Sequence, residues 1–236
     1  MPAVLLMGMS KSGFLIGFGS LATPLLALAV TVPQAVALLL PLLLVMDAIG
    51  LQQLWGHRDR ALLRLLLPAG LTGTVLGTVL FSALSAKAVA GIVGGLTLLF
   101  LAQRLLFAPR ADAPPPPRTL GRVLAVASGF TSFVAHAGSP PINAYALPLR
   151  LPPLAYAATM SVFFATLNLS KVLPYAWLGL FDARNLGTAL VLMPLAPLGV
   201  WLGIWLTRRI SSQWFYRIAY SGMFCTGARL LWVGLR

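Results

Sequence analysis

Lys11-Ser-Gly-Phe-Leu-Ile-Gly-Phe-Gly-Ser-Leu-Ala-Thr-Pro24 opens a run of 35 residues, Ser12 to Met46, without a single charge. As one helix that run would reach about 52 Å, far beyond the ~30 Å of a bilayer's hydrocarbon. The chain must therefore turn, and Thr31-Val-Pro-Gln34 is the place for it. The stretch is also a poor straight helix. Gly13, Gly17, Gly19 and Pro24 fall within twelve residues, and each glycine costs about 1 kcal/mol, an interior proline about 3, relative to alanine. Gly129-Phe-Thr-Ser-Phe-Val-Ala-His-Ala-Gly-Ser-Pro-Pro141 has the same character. A pair of half-helices meeting at an irregular turn satisfies both sequences, provided the turn is covered by protein or lines a cavity. Close helix packing through small residues is the alternative.

The rest of the chain fits a membrane protein. Of 236 residues 59% are hydrophobic and 9% charged, with mean hydropathy +0.90, whereas about a quarter of a soluble domain is charged. The seventeen Lys and Arg against four acids, all Asp, give +13. These bases are scattered between apolar runs, so they read as loop charge and not as a nucleic-acid surface. The expected fold is all-α, with hydrophobic segments at about 3–30, 34–56, 61–83, 86–107, 120–147, 153–179, 184–207 and 212–235. Met1-Pro-Ala-Val-Leu5 lacks the basic region and cleavage site of a signal peptide, so the first apolar stretch is expected to be retained. Cys225, the single cysteine, excludes an internal disulfide and reads as buried filler.

The eight segments divide into two fours, residues 1–107 and 120–236, around the Pro-rich linker 108–119. Pro68, Gly73 and Gly77 recur as Pro194, Gly199 and Gly203 at an offset of 126, while Gly13-Phe14 and Thr23-Pro24 match Gly129-Phe130 and Ser139-Pro140 at 116. Two registers separated by an insertion are what a diverged duplication leaves, and such repeats are common in secondary transporters. If segments one and five are re-entrant hairpins, each half crosses three times and the repeats are inverted. The distribution of loop arginines slightly favours that topology.

Few polar groups lie at depth. Lys11 precedes the first glycine turn, and either snorkels to the interface or acts on a ligand. Asp47 sits inside the second segment, where an ionised carboxylate is costly unless paired or functional. It could neutralise a lysine or carry a coupling proton. Asn168 and Lys171 share a helix face in the sixth segment. Lys171 is too far from the segment end to snorkel easily, which favours function. His136 falls in the broken fifth segment, either as a satisfied structural histidine or as a proton carrier. No metalloprotease, dithiol, Walker A or nucleophile-elbow motif occurs, so neither an enzyme nor a cofactor site is expected. The methionines are dispersed and form no soft-metal site.

Lys11-x-Gly13-Phe14…Pro24, Asp47, Pro68…Gly73…Gly77, Gly129-Phe130…Gly138-x-Pro140, Asn168-x-x-Lys171 and Pro194…Gly199…Gly203 together resemble the sulfite exporter TauE/SafE family of membrane permeases, over about residues 8 to 235. The resemblance implies transport of sulfite, sulfonates such as sulfoacetate, or other small sulfur-containing anions across the cell membrane. It places the substrate between the halves near the turns of segments one and five. Lys11 and Lys171 would then supply charge. Gly19, Ser20, Thr23, His136, Gly138, Ser139 and Asn168 would line the site, and Asp47 or His136 would carry a coupling proton. The expected partners are the anion and the lipid bilayer, with no nucleic acid and a monomeric or homodimeric state. A channel-like anion conductor and a non-transporting membrane scaffold are the alternatives.

Overall fold

The computed structural model describes residues 2–11, 22–27, 29–81, 83, 85–106, 115–149, 151–207, 221, 224, 225, 227–229 and 231–235. Among these the chain is helical and strand-free. The helices are α1 (Pro2–Lys11), α2 (Ala22–Leu26), α3 (Val32–Leu54), α4 (Arg60–Phe81), α5 (Ala86–Leu106), α6 (Arg118–Ala135), α7 (Ser139–Ala146), α8 (Pro153–Ser170), α9 (Val172–Trp177), α10 (Ala183–Leu192) and α11 (Leu195–Thr207).

The uncharged run does turn before Thr31. Thr31 Oγ1 accepts from the Gln34 amide and Gln34 Oε1 accepts from the Thr31 amide, a reciprocal cap that starts α3 with Pro33 in its first turn. Asp59 and Asp182 act similarly. Asp59 Oδ1 accepts from the Leu62 amide at the start of α4, and Asp182 Oδ1 from Asn185 at the start of α10. Two described helices are long and apolar enough to cross a membrane, Val32–Gln52 within α3 and Arg60–Phe81, which is α4. A third candidate is the pair Asn185–Leu192 and Leu195–Leu202, bent by 45°.

The fifth segment is a helical hairpin. After α6, the chain reverses at His136–Gly138, and α7 runs back along α6. Ser128 Oγ donates to the Gly138 carbonyl at 2.6 Å, and a Cβ on Gly121, near the start of α6, would lie 2.5 Å from the Tyr145 ring at the end of α7. In the first segment α1 and α2 also pack together, although residues 12–21 separate them. The sixth and seventh segments are each divided as well, at Lys171 and at Met193–Pro194. The linker's residues 108–114 and most of segment eight lie outside the described residues.

Glycines set the helix crossings. A Cβ on Gly73 would overlap the Val126 carbonyl oxygen, and one on Gly129 the Gly70 oxygen, so α4 and α6 meet backbone to backbone. Gly8 and Gly199 also bring the backbones of α1 and α11 together, a Cβ on Gly8 lying 2.9 Å from Gly199. Gly91 and Gly94 of α5 receive Gly234 and Leu231. The pattern is crosswise. α4 packs on α6 and α8, while α11 packs on α1 and on α3. The opposite face of α4 presents Val75, Leu76, Val79 and Leu80 outward. Apolar side chains on the outer face, with glycines where helix backbones touch, suit lipid as solvent. The same reasoning corrects the expectation for Cys225, which is exposed and not buried. A small apolar side chain on a lipid-facing surface needs no burial.

Candidate functional site

Five of the polar residues singled out by their depth meet in one chain of bonds. Lys11, at the end of α1, is ion-paired through Nζ to Asp47 Oδ1 on α3. Asn168 Nδ2, on α8, donates to the other oxygen, Asp47 Oδ2, at 2.6 Å. Asn168 Oδ1 in turn accepts from Lys171 Nζ at 2.8 Å. Lys171 Nζ also donates to Ser132 Oγ at 2.7 Å and lies 3.2 Å from His136 Nδ1. His136 Nε2 ends the chain, 2.9 Å from the Val36 carbonyl on α3.

Local structure explains how these groups converge. His136 caps α6 in the left-handed region, with φ 50. Its amide bonds to the Ser132 carbonyl at 3.0 Å and the Ala137 amide to Thr131 at 3.1 Å. Glycine normally takes this position because a side chain there costs about 1–2 kcal/mol. The imidazole ring offsets that cost with its two bonds. Since Val36 offers only an acceptor, Nε2 carries the ring proton, and Nδ1 is left to accept from Lys171. Lys171 stands at the break between α8 and α9, where its ammonium finds one acceptor for each of its three N–H donors. Its side chain is fully buried, at 0% exposure. It does not snorkel.

The site is therefore asymmetric in access. Asp47 is 4% exposed and Lys11 19%. Lys11 also lies 5.8 Å from the centre of the Phe164 ring, within cation–π range. With these groups ionised, two ammonium groups face one carboxylate, leaving one positive charge in excess among apolar helices.

The other expected site residues fall differently. Thr23 is fully buried on α2, and its hydroxyl has no hydrogen-bond partner among the described residues. Gly138 is a packing residue, because a Cβ would come within 2.8 Å of the Ser128 oxygen and the Ser132 side chain. Ser139 begins α7 and is partly buried. Gly19 and Ser20 lie outside the described residues. Ser132 and the Val36 carbonyl were not singled out by the sequence. Ser132 stands four residues before His136, one helical turn, and that spacing was the signal for it.

The description that fits the chain's sequence as a whole is a family model, sulfite exporter TauE/SafE, which matches residues 1–230. The chain belongs to the TauE/SafE family. No match was found among curated proteins or among solved structures. TauE/SafE proteins are membrane transporters of the sulfite-exporter type, so membership gives the apolar helices a bilayer and makes transport the work of this chain. In a TauE/SafE chain a buried excess of positive charge has a plain use, since the solute of a sulfite exporter is an anion.

Proposed function

We propose that the protein exports small sulfur-containing anions, sulfite or organosulfonates such as sulfoacetate, by alternating access at a midplane site between two inverted four-segment repeats. The observation that carries this reading is the Lys11–Asp47–Asn168–Lys171 chain, which joins α1 and α3 to α8 and holds one carboxylate between two ammonium groups. The crosswise packing of α4 on α6 and α11 on α1 supports the repeat, because exchanging the two halves turns one contact into the other. The hairpin of α6 and α7 supports a re-entrant fifth segment.

In this reading Asp47 stands in for the substrate. Its two oxygens occupy Lys11 and Asn168, the donors that sulfite or a sulfonate would take with its own oxygens. An arriving anion displaces the carboxylate from Lys11 and takes its place there. His136, Ser132 and Asn168 hold Lys171 so that its charge stays at the centre of the site while the halves rock. Thr23, whose hydroxyl has no partner among the described residues, supplies a further hydrogen bond to the anion, and Ser139 lines the approach.

Ligand-dependent thermal shift of the purified protein across sulfite, sulfoacetate, taurine, thiosulfate and simple carboxylates tests this. Sulfite or a sulfonate is expected to raise the melting temperature more than acetate does. Asp47→Asn, which keeps the shape and removes the competing charge, should strengthen that shift. A weaker shift in Asp47→Asn, or no preference for sulfur oxyanions, contradicts the reading.

A further inference from the structure

A second group of basic side chains lies where α4 begins. Arg58, Arg60 and Arg64 line an open cleft of about 390 Å³ together with Leu63, Leu67 and Pro68. Positions 60, 63, 64, 67 and 68 recur every three or four residues, so they form a single stripe along α4. The stripe is basic at its start and apolar beyond Arg64. Because Arg60–Phe81 has the length and hydropathy of a membrane span, the stripe runs from the bilayer interface into its hydrocarbon.

The surrounding contacts keep the charge available. Arg58 donates to the Trp55 carbonyl and stacks 4.0 Å from the centre of the exposed Trp55 ring, an aromatic suited to the headgroup level. Asp59, the acid in this stretch, is engaged elsewhere. Its carboxylate caps the Leu62 amide at 2.9 Å, and its own amide donates to Thr159 Oγ1, also at 2.9 Å. Among the described residues, Arg58, Arg60 and Arg64 take part in no ion pair. Three guanidinium groups beside an apolar wall match a phosphodiester that carries an acyl chain.

We propose that this cleft binds an anionic phospholipid. Arg60 and Arg64 hold the phosphate, with Arg58 at the rim, and one acyl chain lies along Leu63, Leu67 and Pro68. A free phosphate would use the same guanidinium groups and leave the apolar wall uncovered.

Native mass spectrometry of the full chain in a zwitterionic detergent provides the test, with dioleoyl phosphatidylglycerol and dioleoyl phosphatidylcholine as probes. The protein should retain phosphatidylglycerol in preference to phosphatidylcholine. Arg60→Gln/Arg64→Gln should weaken that binding about thirtyfold, and Arg58→Gln by less, on the basis of ~1 kcal/mol per basic residue at a membrane surface. Neither inorganic phosphate nor dihexanoyl phosphatidylglycerol should displace the long-chain lipid. Equal retention of the two long-chain lipids, undiminished binding by the double variant, or displacement by inorganic phosphate would each overturn the proposal. Because the two lipids and the competitors are compared on the unmutated protein, the result stands even if the double variant does not fold.

Discussion

At the scale of single residues, the informative position is His136. A left-handed φ of 50 on a side chain other than glycine is uncommon, and such positions concentrate where the structure uses the strain. Here the ring fixes Lys171 on one side and the Val36 carbonyl on the other. Backbone and side-chain roles can be separated by comparing His136→Gly with His136→Ala, since both remove the ring and only alanine keeps a Cβ. Both should melt below the parent protein, and the glycine variant should be more stable than the alanine variant by about 1 kcal/mol. Alanine equal to or above glycine in thermal unfolding would contradict the left-handed cap. Lys11, Asp47, Asn168, Lys171 and His136 were all visible in the sequence, because polar groups stand out among apolar helices. Their pairing was not visible. Asp47 is 36 residues from Lys11 and 121 from Asn168, so only the tertiary fold decides which lysine it neutralises. Ser132 was passed over because a serine bonding within a helix is common and carries no charge to mark it.

Elements show which local signals the fold obeys. Segment five broke at His136–Gly138, within the stretch whose composition implied it, and Thr31 with Gln34 opened α3. Pro68 and Pro194 are sequence counterparts with different outcomes. Pro68 lies inside the continuous α4, whereas α10 ends just before Pro194 and the axis bends by 45°. The difference lies in Pro197, which follows three residues later and removes a second amide from the same turn. There the Met193 amide falls back on Leu190 at 3.2 Å and Ala196 takes the Met193 carbonyl at 3.0 Å. Glycine spacing that served only to align the two halves proves to be the crossing surface. Gly73→Ala should therefore force α4 from α6, destabilising the protein by about 3 kcal/mol. Gly187, on the exposed side of α10, has nothing within 4 Å of an added Cβ, and Gly187→Ala should be neutral or slightly stabilising. Chemical unfolding in detergent distinguishes the two, and a tolerated Gly73→Ala would refute the backbone contact.

For the whole molecule, the composition already required a membrane, and the family match supplies the kind of work done there. The +13 of the chain includes two local parts: three arginines gather at the head of α4, and two lysines share one chain of bonds with a carboxylate inside the helices. Only the last part was legible as chemistry from the sequence, through depth and the lack of a nearby segment end. The cleft at α4 needed the fold, since Arg58 and Arg60 read simply as loop residues. The central claim is that Lys11 and Lys171 carry an anion across the bilayer, and Lys171→Met keeps the length of the side chain while removing its charge. It also strands the acceptors of Ser132, His136 and Asn168, so a lower melting temperature is expected alongside the functional loss. The decisive measurement is sulfite flux into proteoliposomes containing equal amounts of monodisperse parent and Lys171→Met protein. The account predicts saturable flux, inhibited by sulfonates, for the parent, and background flux for the variant. No flux from the parent, or undiminished saturable flux from Lys171→Met, would contradict it.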